Sequence, residues 1–450
     1  MSNFENNSYK PKYYVSPADV VSELSKYMLA DGYDFVLDLL NSKSSHFSEA
    51  RTGNDYLDFF TCFASMPIGM NHPKMNNNDF INYIGRIALN KPSNSDIYSS
   101  EMATFVKTFF EVAVPKDFKY SFFVDGGALA VENALKTAFD WKVRKNFQKG
   151  YTYERGHKAL HFLESFHGRS GYTMSLTNTD PQKVKYFPKF DWPRVLNPKM
   201  RFPMTDEVME EVIKNENLSI NQMKQAFIDN RDDIAAIILE PIQGEGGDNH
   251  FRPEFLKQLR NLADENDALL IFDEVQTGLG LTGTMWAHEQ LGVTPDIMSF
   301  GKKMQVCGIL STDRVDTVEA NVFHESSRIN STWGGNIVDM VRSTKYLEII
   351  EEENLLDNAK QMGKYLMQEL HKISENNPNK IDNIRGRGLF IAVDIVAQNK
   401  RSELINECWK NKLFILSCGT KSLRFRPALN VTKEDIDAGL EIFENSLKVC

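Results

Sequence analysis

Three short runs in the middle of the chain are apolar almost without interruption: AAIILEP (235–241), ALLIFDEV (268–275) and DIMSFGK (296–302). Each has the length of a strand and ends in polar residues, the pattern of a strand buried on both faces. Between the first two, RPEFLKQLRNLADEND has the helical period. Pro253 suits its first turn, and Phe255, Leu259, Leu262 and Ala263 make one apolar stripe. MWAHEQLG predicts a short helix before the third run. Buried strands alternating with amphipathic helices predict βαβ units, hence an α/β fold with a large, mainly parallel sheet.

Beyond residue 336 the texture changes. VDMVRSTKYLEIIEEENLLDNAKQMGKYLMQELHKI predicts a long helical region, and RGRGLFIAVDI opens a smaller α/β unit. Thr432 and Asp435 stand at capping-box spacing before a last amphipathic helix. The pattern divides the chain into an N-terminal segment (1–75) packing with the other parts, a large domain (76–335) and a small C-terminal α/β domain (336–450). A chain of 450 residues is long for a single core.

Composition narrows the partners. The 42% apolar and 25% charged residues are those of an average soluble globular protein. A net charge of −9 speaks against nucleic acid, whose phosphates need a clustered positive field. No apolar run approaches the roughly 20 residues needed to cross a bilayer, and the polar start MSNFENNSYKPKYY has no signal-peptide core. Cys62, Cys307, Cys408, Cys418 and Cys450 are scattered and form no CxxC pair. That usage predicts reduced thiols in a cytoplasmic protein, with no disulfide framework and no metal site.

Ligands of open parallel sheets bind at the carboxyl ends of the strands. The three runs end in Glu240, in Asp273, Glu274 and Gln276, and in Lys302. Asp273, leaving an apolar strand, needs a cationic partner to stay ionised. An apolar strand ending in Asp-Glu also occurs in P-loop ATPases, but no GxxxxGK[ST] loop is present and Gly301-Lys302 is followed by Lys303. Lys302 and Lys303 are either two solvated turn residues or include a nucleophile. An aspartate and a lysine two strand-ends apart suit an aldehyde cofactor with a pyridine ring, pyridoxal 5'-phosphate. The amine forms a Schiff base and the carboxylate keeps the ring nitrogen protonated. His157 and His161 have the i,i+4 spacing of zinc ligands on a helix, but no HExxH or third ligand accompanies them, so they read as structural. Trp333 and the Tyr-rich start read as packing residues.

LLIFDEVQTGLGLTGTMWAHEQLGVTPDIMSFGK resembles the signature of class III pyridoxal-phosphate aminotransferases. The resemblance implies their fold type I, with Asp273 and Lys302 as the catalytic aspartate and lysine and Lys303 as an ordinary neighbour. It also implies that Gln276 bonds the ring's 3-oxygen and touches substrate. VDGGALAVENALKTAF is similar to the family's phosphate-binding turn and helix, which gives that role to the N–H groups of Gly127 and Ala128. ESFHGRSGYT resembles the element in which Phe166 stacks on the ring and Arg169 reaches into the substrate channel. RINSTWGGN resembles the loop that carries a donor, here Thr332, to the other subunit's phosphate, which implies a homodimer with shared active sites.

Within the class, GGALAVENALK, EPIQGEGGDNHFRPEF, GKKMQVCG and NSTWGGN are similar to the lysine 6-aminotransferases. That likeness implies transfer of the terminal amino group of L-lysine to 2-oxoglutarate, giving 2-aminoadipate 6-semialdehyde and L-glutamate. It gives Arg169 to the distant α-carboxylate of lysine, and Arg424 of LRFRP, rather than Arg426, to the α-carboxylate of glutamate. Glu245 of QGEGG then covers Arg424 for lysine and swings away for glutamate, a motion its flanking glycines should make cheap. At this stage ornithine or 4-aminobutyrate as donor, an aminomutase, and a non-enzymatic binding relative stay open.

Overall fold

The computed structural model describes residues 9–450; the first eight, which open the polar start, lie outside the described residues. Seven strands form the main sheet, in the spatial order Phe118–Val124, Cys307–Thr312, Ile297–Phe300, Leu269–Asp273, Ile234–Leu239, Lys158–Phe162 and Arg194–Val195. The last five run parallel, and Cys307–Thr312 runs against them. The sheet is therefore mainly parallel, as the apolar runs predict. Ile234–Leu239 and Leu269–Asp273 are buried at every position.

The period of two divides their side chains between two cores. Ile237, Leu239, Leu270 and Phe272 pack with Phe255, Leu259 and Leu262 of the Pro253–Glu265 helix. Ala236, Ile238, Leu269 and Ile271 pack on the other face with Val131, Leu135 and Ala138 of the Gly127–Gln148 helix. The parallel register sets Asp273 beside Ser299. Asp273 and Lys302 thus leave the sheet at one edge.

Several elements differ in detail from the pattern. MWAHEQLG contains a 3-10 turn, Ala287–Gln290. The long helical region is two helices, Ile337–Glu352 and Leu355–Asn376, broken at Asn354, whose φ of +51° suits an asparagine better than most residues. The capping box is present: the Asp435 N–H donates to Thr432 Oγ1 at 3.1 Å and the Thr432 N–H to Asp435 Oδ2 at 3.2 Å. His157 precedes, and His161 lies within, the Lys158–Phe162 strand, so their spacing is not helical. His161 accepts from Arg194 Nε at 2.9 Å, and burial pushes its pKa down to about 3. No helix among the described residues is long and apolar enough to cross a membrane.

Ile381–Arg387, Phe390–Ile395, Ser422–Phe425 and Leu416–Cys418 make a smaller antiparallel sheet. The N-terminal strands Leu37–Lys43, His46–Glu49 and Asp55–Asp58 join Leu413–Phe414 in a third sheet, with Leu57 beside Leu413. Tyr9, Tyr13 and Tyr14 of the Tyr-rich start, expected to pack, are exposed. We propose residues 75 and 335 as the domain limits, since the main sheet lies between them and the small sheet after them.

One buried ion pair ties the loop beyond the Ile234–Leu239 strand to the smaller antiparallel sheet. Arg426, just past the Ser422–Phe425 strand, meets Asp248 at 2.6 Å, and both side chains are almost wholly buried. Its guanidinium lies 3.5 Å over the Phe390 ring and donates to the carbonyls of Ile391 (3.2 Å) and Phe425 (2.9 Å). Arg385 adds a bond to the Asp248 carbonyl at 3.0 Å. Asp248→Asn keeps the side-chain shape and tolerates the φ of +49° at this position. It leaves a buried guanidinium without its counter-charge, a loss of about 3–5 kcal/mol. The thermal unfolding midpoint of this variant should fall clearly below that of the wild type; an unchanged midpoint would show that the seam does not depend on the pair.

Candidate active site

A cavity of about 490 Å³ opens at the carboxyl edge of the main sheet. Asp273, Gln276 and Lys302 reach it from the main sheet, Gly127 and Ala128 from a helix start, and Arg424 from the small sheet. Phe166 and Arg169 line it from one loop, Glu245 from another, and Phe63 from the N-terminal segment. Nine of the ten residues that the sequence nominated therefore converge.

Lys302 is delivered by a turn that few sequences could make. A Cβ at Gly301 would lie 2.8 Å from Cys307 Sγ, so only glycine fits there. Lys302 follows at φ +50°, closed by the Gln305 N–H donating to its carbonyl at 2.8 Å. Its Nζ donates to the Phe63 carbonyl at 3.1 Å. Burial, helped by the charge of Arg424, lowers its pKa to about 8, while Glu245 and Asp273 act in the opposite sense. An amine so poised is a nucleophile near neutral pH.

Lys303 is not an ordinary solvated neighbour. It is buried, and its Nζ donates to the carbonyls of Gln276 (2.6 Å) and Ala64 (3.4 Å). Burial and the charge of Lys302 push its pKa well down. Its amine braces the turn, and Lys302 is the lysine that faces the cavity.

Asp273 is hydrogen-bonded at both carboxylate oxygens. Its Oδ2 lies 2.8 Å from His167 Nδ1, and its Oδ1 accepts from the Val275 N–H at 3.1 Å and the Ser299 hydroxyl at 3.3 Å. His167 stands in the FHG stretch, but nothing local marks it as the partner of a residue 106 positions away. Glu240 joins two loops, accepting from the N–H groups of Phe166 (2.9 Å) and Gly244 (3.0 Å). Burial pushes its carboxyl up to about 7.

The Gly127–Gln148 helix begins after Gly126 with no side-chain cap and no acid in its first turn. Its leading N–H groups and the positive end of its dipole point to an anion. Gly168, at φ +121°, could carry no Cβ, because that atom would lie 2.5 Å from Ala128 Cβ. The loop that holds Phe166 is thereby packed directly on the helix start.

The two arginines of LRFRP have separate roles. Arg426 is paired with Asp248, whereas Arg424, 4% exposed, lines the cavity; each keeps a buried Nε without a partner. Arg424 donates to Glu245 Oε2 at 3.3 Å and to Gln276 Oε1 at 3.4 Å. Glu245 also has a partner that the sequence did not nominate: Lys183 donates to its Oε1 at 2.5 Å.

The glycines beside Glu245 do not loosen its loop. A Cβ at Gly244 would lie 2.3 Å from Gln276 Oε1, and one at Gly246 2.0 Å from the Glu164 carbonyl oxygen. The Gly419 N–H donates to the Glu245 carbonyl at 2.8 Å. Close packing selects these glycines, and the loop backbone is clamped. A rotation of the Glu245 side chain leaves this backbone packing intact.

Two nominated residues are exposed. Arg169 is exposed at the cavity and makes no hydrogen bond or ion pair among the described residues. Thr332 is exposed on a loop pinned by the Asn94 N–H to the Trp333 carbonyl at 3.2 Å, and it does not line this cavity. Trp333, expected to be packed, is half exposed, with Lys91 Nζ 3.8 Å over its ring. Phe63 carried no signal in the sequence: it belongs to a turn in which Thr61, Cys62, Phe63 and Ala64 all have φ between +44° and +61°.

The Aminotransferase class-III family description matches residues 30–447. The L-lysine-epsilon aminotransferase of Mycobacterium tuberculosis is 50% identical over 435 residues, 96% of each chain. The 4-aminobutyrate aminotransferase of Schizosaccharomyces pombe is 33% identical over 431 residues, 90% of this chain and 88% of that one. The solved lysine aminotransferase of M. tuberculosis superposes with a TM-score of 0.94 at 49% identity, covering 97% of this chain and all of that one. The family works with pyridoxal phosphate, and the donor set fits that group: an uncapped helix start for a phosphate, a buried carboxylate for a ring nitrogen, and an amine of lowered pKa. The chain belongs to the class III aminotransferases, the pyridoxal-phosphate-dependent transaminases.

Proposed function

We propose that this chain transfers the ε-amino group of L-lysine to 2-oxoglutarate, giving 2-aminoadipate 6-semialdehyde and L-glutamate in two half-reactions at one site. The observation that carries this reading is the Arg424–Glu245 pair at 3.3 Å in the cavity of Lys302. An arginine beside the reacting amine suits a substrate with an α-carboxylate there, and a carboxylate covering it suits a substrate without one. Relatives named L-lysine-epsilon aminotransferase, at 47–50% identity, support lysine as the donor over 4-aminobutyrate, whose transaminases match at 31–33%.

Pyridoxal phosphate, when bound, supplies an electron sink for the carbon that loses its proton. Gly127 and Ala128 would hold its phosphate, Phe166 its ring face and Gln276 its 3-oxygen. Asp273, oriented by His167, supplies the carboxylate that keeps the ring nitrogen protonated. Lys302 would hold the cofactor until the ε-amine of lysine takes its place, and its freed amine would then take a proton from the ε-carbon of lysine and return one as an acid. Arg169 receives the α-carboxylate of lysine while Glu245 neutralises Arg424. In the second half-reaction the α-carboxylate of 2-oxoglutarate takes Arg424, and the Glu245 side chain turns away.

The assembly in this reading is a homodimer with shared sites, Thr332 of each copy serving the phosphate of the other. The exposed position of Thr332 and the exposed apolar side chains of Leu29, Leu89, Ile97 and Tyr98 support it. The five unpaired cysteines suit a reducing, cytoplasmic setting.

L-Lysine added alone to the loaded enzyme should remove the cofactor's long-wavelength absorbance and release semialdehyde in proportion to enzyme. A band that survives lysine and is lost with ornithine or 4-aminobutyrate would keep the chemistry and change the donor. Glu245→Ala should lower the single-turnover rate with lysine about tenfold more than that with glutamate, one buried ionic bond being lost. Equal losses would remove the switch.

The lowered pKa of Lys302 sets a pH dependence. Below about 8 its amine is protonated and unreactive; above that it is neutral. The rate at which cofactor-free protein combines with pyridoxal phosphate should therefore rise with pH, with its midpoint near 8, and level off above that. A midpoint at the ordinary 10.5 would contradict the burial argument.

A further inference from the structure

Glu245 is held by two cations. Its Oε1 lies 2.5 Å from Lys183 Nζ and its Oε2 3.3 Å from Arg424. The lysine contact is the shorter. Lys183 ends the Pro181–Lys183 turn, which is fixed by the Gln182 N–H donating to the Asp180 side chain at 2.9 Å. Its Nζ stands 5.6 Å from the centre of the Phe166 ring, on the cavity wall. Lys183 and Glu245 are each 27% exposed at the side chain, so the pair is partly withdrawn from water.

A carboxylate displaced from Arg424 in such a place needs another partner, because a charge left unpaired away from water is costly. Gly244 and Gly246 pack closely against the Gln276 side chain and the Glu164 carbonyl, so moving the whole loop would break packing that a side-chain rotation leaves intact. Lys183 already holds the other oxygen of the same carboxylate. Rotation about the Glu245 side chain can break the long contact to Arg424 while keeping the short one to Lys183.

We propose that Lys183 is a positioning residue for the half-reaction with glutamate and 2-oxoglutarate: it retains Glu245 when an α-carboxylate takes Arg424. Lys183 acts through Glu245 and touches neither substrate. The inference deepens the function proposed above and rests on its assignment of Arg424 to the α-carboxylate.

The test compares single-turnover kinetics of the loaded enzyme with L-glutamate and with L-lysine. It uses the wild type, Lys183→Met, Lys183→Arg, and Lys183→Met combined with Glu245→Ala. With glutamate, Lys183→Met should lose about tenfold in second-order rate, mainly through weaker glutamate binding, as expected for one charge-assisted hydrogen bond. The loss with lysine should be clearly smaller, and Lys183→Arg should restore most of the glutamate rate. In the Glu245→Ala background, Lys183→Met should add no further loss, since the two residues act as one unit. Equal losses with both donors, no loss with glutamate, or a loss that persists without Glu245 would each overturn the proposal. If the wild type does not react with lysine, the donor assignment falls, and the glutamate measurements still decide the role of Lys183.

Discussion

A guanidinium withdrawn from water must keep a counter-charge, and the Arg426–Asp248 pair meets that requirement at the seam between the small antiparallel sheet and the loop that carries Glu245. Asp248 lies on the loop that also carries Glu245, and Arg426 lies two residues beyond Arg424. The pair therefore fixes, in one contact, the loop that covers the substrate's arginine and the strand that presents it. Arg385 reinforces the same loop through the carbonyls of Gly247 and Asp248. With Arg426 neutralised in the seam, Arg424 is the arginine left to face the cavity.

Around that seam the chain accepts local strain and desolvation. Four consecutive residues, 61–64, take left-handed backbone angles, held by Asp58 Oδ1 accepting the N–H groups of Phe60 (2.8 Å) and Thr61 (2.7 Å). Such angles cost on the order of 1–3 kcal/mol each outside glycine and persist only where the surroundings enforce them. Here they aim the Phe63 carbonyl at Lys302, itself left-handed. The two lysines of SFGKKMQVCG thus part: the amine of Lys303 is buried between two carbonyls, and that of Lys302 faces the cavity.

The acids are graded in the same way by their neighbours. Asp273 is buried but faces a histidine, a hydroxyl and an N–H. Glu240, with only two backbone N–H groups, is pushed up by burial. Glu245 lies between two cations. Three carboxylates within one cavity wall therefore have three environments, which allows one to serve a ring nitrogen, one to brace loops and one to answer a changing substrate charge.

The sequence by itself determined the parallel sheet, the strand ends and the motif residues, because each is written within about a dozen neighbouring positions. Apolar runs state burial on both faces, and a capping box or a Gly-Lys turn is complete within its own stretch. Even the choice of Arg424 over Arg426 follows the likeness of one motif. Tertiary structure alone decided which charges meet. His167 with Asp273, Lys183 with Glu245, and Asp248 with Arg426 are 106, 62 and 178 positions apart. It also reversed the meaning of the glycines around Glu245, which look like freedom in the sequence and act as close packing in space. Local patterns carry conformational preference and burial, whereas the partner of a charge and the room beside a Cβ exist only once distant segments have packed.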